Sequence, residues 1–94
     1  MLVDAGGGQC AVVGDLTLAT AGKLWRELRS SGLLSSATSV DLEKAGASDS
    51  AGLALLIAWR ASCKANGGNL VVKSLPERLR ALAQLTDAEA MLSG

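Results

Sequence analysis

The sequence predicts an α/β domain in which a small mixed β-sheet carries helices packed mainly on one face. Two observations lead there. After an initial hairpin signal, short apolar runs of strand type alternate with longer stretches of helical period, the order that yields strand pairs crossed by helices. The chain has 94 residues, 49% of them hydrophobic, which is material for one core and no second, so residues 1–94 read as a single domain.

The first element is the hairpin. Leu2-Val3 and Cys10 to Val13 are apolar runs separated by Gly6-Gly7-Gly8, residues that supply a flexible reversal. A phosphate-cradling loop is not expected there, because no Gly-Lys-Ser/Thr follows and no helix opens. Asp15 to Ala19 reads as a loop, and Thr20 as the cap of a helix that runs to Ser31 and stops at Gly32. Leu24, Trp25 and Leu28 lie three and four apart on that helix and turn an apolar stripe toward the sheet, which makes Trp25 a core residue.

Val40-Asp41-Leu42 forms a short strand, and Glu43 to Ser48 a loop made smooth by Ala45, Gly46 and Ala47. The next helix covers Ala51 to Ala65. Leu53, Leu55, Leu56, Ile57, Trp59 and Cys63 spread over more than half its circumference and alanines fill the rest, so its first two turns have no polar side. Arg60 and Lys64 begin a polar side only in the last turns. Asn66-Gly67-Gly68 ends the helix, and Asn69 to Lys73 is an apolar strand. Ser74-Leu75-Pro76-Glu77 has the spacing of a capping box, with proline early in the helix where its missing N–H does no harm. Leu79, Leu82 and Leu85 give that helix its buried stripe, with Arg78 and Arg80 facing solvent. Asp87 to Leu92 reads as a last short helical turn, fraying at Ser93-Gly94.

The junction Asp49-Ser50-Ala51-Gly52 is where chemistry concentrates. Ser50 is expected as the helix N-cap, its hydroxyl accepting from a free N–H of the first turn, and the same N–H groups would favour a phosphate attached there. Ser50 is thus the switch candidate, with Ser48 as the alternative cap or acceptor. Ala51 and Gly52 are small and leave a partner room to approach. A helix apolar all round in so small a domain suggests that another protein covers part of it. The candidate partner interface is therefore Asp49, Ser50, Ala51, Gly52, Leu53, Leu56 and Trp59. The competing reading has flanking helices cover those residues, with Trp59 as core rather than anchor.

Composition argues against several function classes. Nine basic residues balance nine acidic ones and are scattered, which offers no footprint for nucleic acid. The longest apolar run, Ala51 to Trp59, is about half the ~18 residues that suggest a membrane span, so direct membrane insertion is not expected. The N-terminus lacks a basic region followed by an apolar one, which points to the cytoplasm. Cys10 and Cys63 read as buried, reduced small hydrophobes. No metal or cofactor is expected, because histidine is absent and no cysteine or carboxylate set has ligand spacing. Catalysis is not expected either: Ser50 has Asp49 beside it, but the chain has no histidine and offers no obvious lysine partner to act as base.

Asp49-Ser50-Ala51-Gly52-Leu53, preceded by Ser39-Val40-Asp41-Leu42 and followed by a helix, Gly67-Gly68-Asn69 and Leu70-Val71-Val72, resembles the STAS domain family. That family includes sulphate-transporter cytoplasmic domains and anti-sigma-factor antagonists. Val12 to Thr20 is similar to the strand and loop that open its first helix, and Leu75-Pro76-Glu77-Arg78-Leu79 to the start of its next helix. Gly52 to Leu56 and Leu24-Trp25 look most like the small STAS subunit of the bacterial lipid-asymmetry ABC transporter. Ser48 departs from the family pattern, in which a larger apolar residue commonly stands there. The resemblance implies a STAS-like fold and a non-catalytic cytoplasmic subunit that binds the ATPase subunit of a phospholipid-transporting ABC transporter and supports its assembly or activity. It would sit at the inner-membrane complex through that partner. The alternative is an anti-sigma-factor antagonist, regulated when an anti-sigma factor kinase phosphorylates Ser50.

Overall fold

The computed structural model describes residues 1–85, so the helical turn expected over Asp87 to Leu92 lies outside the described residues. Gly6, Gly7 and Gly8 all adopt positive φ, which only glycine takes without strain, and they turn β1 (Leu2–Gly6) back onto β2 (Gln9–Val12) as the expected antiparallel hairpin. The chain continues through β3 (Gly14–Leu16), α1 (Leu18–Ser31), α2 (Leu33–Ser36), β4 (Ser39–Asp41) and β5 (Ala45–Ser48). It ends, within the described residues, with α3 (Ser50–Ala65), β6 (Val71–Lys73) and α4 (Glu77–Leu85).

The result is a mixed α/β fold. The main sheet has four strands in the order β1-β2-β4-β6, antiparallel at the hairpin and parallel elsewhere, with Cys10 opposite Val40 and Val40 opposite Val72. A second sheet pairs β3 with β5 in parallel. Strand alternation sends Cys10, Val12 and Val40 into the core, while Val3 and Val71 remain exposed on the other side.

Two expectations about helix starts and one about a loop need correction. Helix α1 starts earlier than anticipated, with Thr17 as N-cap and Thr20 in its first turn, where the Thr20 hydroxyl accepts from Thr17 N–H at 3.0 Å. Gly32 does stop it, in the left-handed conformation. The Ala45 to Ser48 segment is a strand rather than loop, because β3 offers it a parallel partner. Ser74 lies outside α4 at φ 57°, so it is no cap for a helix that begins at Glu77.

Helix α3 is the centre of the core. It packs against α1, α2 and α4, and these neighbours cover its large apolar side chains. Leu53, Leu56 and Trp59 are buried in the core. Trp59 is 0% exposed, and its indole N–H donates to Leu33 O at 2.9 Å, giving the one polar atom of a buried ring its partner. Between its ends the outward-facing positions are Ala54, Ala58 and Ala61, with Ser50 exposed at the first turn and Lys64 at the last. Arg60 is buried rather than polar surface, with Nη2 3.5 Å from Asn69 Oδ1. On α4 the buried residues are Leu79 and Ala83, a four-residue step, whereas Leu85 is 83% exposed and does not belong to the stripe.

Candidate functional site

Two strand-to-helix junctions come together at one end of the molecule: β3 into α1, and β5 into α3. The short parallel pair holds them side by side, with Leu16 opposite Ser48, and Asp49 N–H continues the contact by donating to Leu16 O at 3.1 Å.

Asp49, not Ser50, caps α3. Its backbone is extended, and Oδ1 accepts from Ala51 N–H at 2.9 Å and Gly52 N–H at 3.2 Å. Its second oxygen crosses to the other junction, where Oδ2 accepts from Leu18 N–H at 3.1 Å. The carboxylate serves both helix starts because it has two oxygens, one directed to each. The Leu18 N–H and those of Gly52 and Ala51, together with the Arg78 guanidinium, hold the Asp49 carboxyl below its ordinary value against a smaller opposing effect of burial. Asp15 makes a parallel tie, its Oδ1 accepting from Ala47 N–H at 2.9 Å.

Ser50 is consequently released from capping. It is the first residue of α3, exposed, and among the described residues its hydroxyl makes no hydrogen bond. Ala51 is half-buried beside it. Gly52 is buried, and its smallness serves the fold rather than a partner: a Cβ there would collide with Leu16, lying 2.8 Å from its carbonyl carbon and 2.9 Å from its Cβ. Ser48 is likewise unavailable as a phosphate acceptor, being 5% exposed with a buried hydroxyl that has no partner among the described residues. Pairing of β5 with β3 turns that side chain inward.

Leu18 escaped the sequence reading. It stands at the start of α1, 78% exposed, joined to Asp49 through its own N–H. The signal was its phase: at 100° per residue it lies roughly 100° away from the direction of Leu24 and Leu28, so the core has no use for it. The exposed face thus combines Leu18, Ala19, Ala47 and Ser50 around the half-buried Asp49. It is a mixed apolar and polar surface fixed by backbone hydrogen bonds, suited to protein contact. Among the described residues no group of histidine, cysteine or carboxylate side chains is placed to hold a metal ion.

The family model described as "Mlab, STAS domain" matches residues 4–93. Among curated proteins, none matches the chain. The fold is similar to that of the anti-sigma factor antagonist SpoIIAA in its unphosphorylated form, with a TM-score of 0.72 at 14% identity over 98% of this chain and 84% of that one. It is also similar to the Bacillus cell fate determinant SpoIIAA in the phosphorylated form, with a TM-score of 0.70 at 14% identity over 98% of this chain and 86% of that one.

Proposed function

The chain belongs to the STAS domain family, and from that membership we propose that it is a non-catalytic cytoplasmic subunit which binds the ATPase subunit of a phospholipid-transporting ABC transporter. The observation that carries the reading is the fixed face with exposed Leu18 beside the exposed Ser50 hydroxyl, in a chain whose family model bears the Mlab description. Leu18 supplies an apolar anchor at low entropic cost, because its backbone is tied to Asp49, and Ser50 supplies a hydrogen-bonding group at the centre of the patch. The ATP chemistry belongs to the partner. No helix among the described residues is long and apolar enough to cross a membrane; in this reading the chain meets the inner-membrane complex through the ATPase. Co-expression with the ATPase encoded nearest the gene, followed by purification through a tag on this chain, tests the reading: recovery of a stable complex supports it, and failure of a folded chain to retain the ATPase opposes it.

A second reading is favoured by the exposure of Ser50 and by fold likeness to SpoIIAA, whose structure is known with and without phosphate. Here the partner is an anti-sigma factor kinase. Phosphorylation of Ser50 would add about −1.5 to −2 charges directly beside Asp49, enough to expel a partner by repulsion without unfolding the domain. Incorporation of one phosphate on Ser50 by a neighbouring kinase, with loss of that kinase's binding, would favour this reading over the transporter.

A further inference from the structure

Arg78 stands in the first turn of α4, yet its side chain reaches the turn that carries Ser50. Its Nε–H donates to Ser48 O at 2.7 Å, a contact between residues 30 apart in sequence. A bond of that length from an ionised donor is among the stronger kinds. The accepting carbonyl is the last in β5 and adjoins Asp49, whose N–H is already committed to Leu16 O. The same guanidinium favours the ionised form of the Asp49 carboxyl, so two separate groups of the turn feel it. The Ser48 hydroxyl, by contrast, makes no bond among the described residues and does nothing to hold the turn.

We infer that Arg78 is a positioning residue for the docking face, tying α4 to the β5–α3 turn and so fixing how Asp49 and Ser50 meet a partner. This deepens the proposed function and rests on its choice of docking face. Lysine does not replace it, since an ammonium carries the charge but not a planar Nε–H aimed along the side of the chain.

The test uses the purified chain as wild type, Arg78→Ala and Arg78→Lys. Amide resonances from Ser48 to Ala51 and the titration midpoint of the Asp49 carboxyl are followed by NMR, with melting temperature as a check on folding and pull-down of the ATPase as the functional readout. Arg78→Ala is expected to move the Asp49 amide, which shares a peptide group with the Ser48 carbonyl, and to raise the Asp49 midpoint, while Leu28 and Val40 stay in place. ATPase affinity should fall roughly 5- to 150-fold. Arg78→Lys should restore part of the midpoint without restoring the Asp49 amide, and it delivers the same answer if Arg78→Ala does not fold. A folded variant with unmoved turn resonances and an unmoved midpoint overturns the inference. If the wild-type chain retains no ATPase while Arg78→Ala still moves the turn, the positioning role stands and the transporter reading falls.

Discussion

Gly52→Ala and Gly22→Ala make the same chemical change in two helices, and the structure assigns them opposite signs. At Gly52 the new methyl would lie 2.8 Å from the Leu16 carbonyl carbon and 2.9 Å from its Cβ, against an optimal carbon separation of about 3.5–4.0 Å. Clearing Leu16 needs a relative shift of α3 and β3 of order 1 Å. The obstacle is mostly backbone, and β3 is fixed by its register with β5 and by the Asp49 N–H bond to Leu16 O, so it cannot simply rotate aside. Overpacking of this kind costs about 1–3 kcal/mol, and weakening that hydrogen bond about 1 more. Alanine returns about 1 kcal/mol through helix propensity, leaving a net loss of about 1–3 kcal/mol. For a domain of this size each kcal/mol is worth about 4–8 °C, so the melting temperature should drop by about 4–24 °C. At Gly22 a Cβ has only the Arg26 Nη1 group near it, at 3.7 Å, and the propensity gain of up to about 1 kcal/mol is expected undiminished. Thermal and urea unfolding of both variants beside wild type reads the result. A Gly52→Ala chain as stable as wild type, or one that gains as Gly22→Ala does, would refute the close contact between α3 and β3 on which the site's geometry depends.

Other outcomes follow from the same structure. Trp59→Ala should lose about 3–5 kcal/mol in the isolated chain, and Trp59→Phe less, with about 1 kcal/mol of its loss coming from the missing bond to Leu33 O; unchanged melting in both would return Trp59 to the surface. Asp49 has its folded pKa below the ordinary 3.8, so its contribution to stability is present above that value and is lost as pH falls through the folded pKa. Asp49→Asn should accordingly melt below wild type at neutral pH, with the gap closing on acidification below about pH 4; a gap independent of pH would contradict the assignment. The Cys10 thiol is pushed up to about 11 by burial, then by the charges of Asp4 and Cys63, and burial also raises Cys63. A thiol reagent at pH 8 should therefore leave the native chain unlabelled and react in urea, and rapid native labelling would place a cysteine at the surface.

The fold was legible where sequence carries strong local signals. Gly6-Gly7-Gly8 between apolar runs specifies a hairpin, Gly32 a helix stop, and the long apolar stretch after Ser50 a central helix. Strands β3 and β5 were not legible, because three or four small and polar residues have no periodicity until they find each other. The sidedness of α3 was hidden for a related reason: a helix with apolar residues all round does not say which of them its neighbours will cover, and here the large ones went inside and the alanines out. At the site, residue type favours Asp49 and Ser50 almost equally as caps. The choice falls to Asp49 because Leu18 N–H, 31 positions away, needs the second oxygen. Long-range demands of that kind set Gly52 against Leu16 and Arg78 against Ser48 as well.

The docking face itself is tested most directly by purifying the ATPase through a tag on this chain, with wild type compared with Leu18→Asp, Ser50→Asp and Ala58→Glu. Leu18 and Ser50 are exposed on the proposed face, while Ala58 is exposed on α3 about two turns away from Ser50. All three variants should melt within a few degrees of wild type, since none removes a buried group. The account predicts that Leu18→Asp and Ser50→Asp lose the ATPase and its stimulated turnover, the second by setting another carboxylate beside Asp49, whereas Ala58→Glu retains both. Folded Leu18→Asp and Ser50→Asp chains that recover the ATPase and its activity at wild-type levels would contradict it.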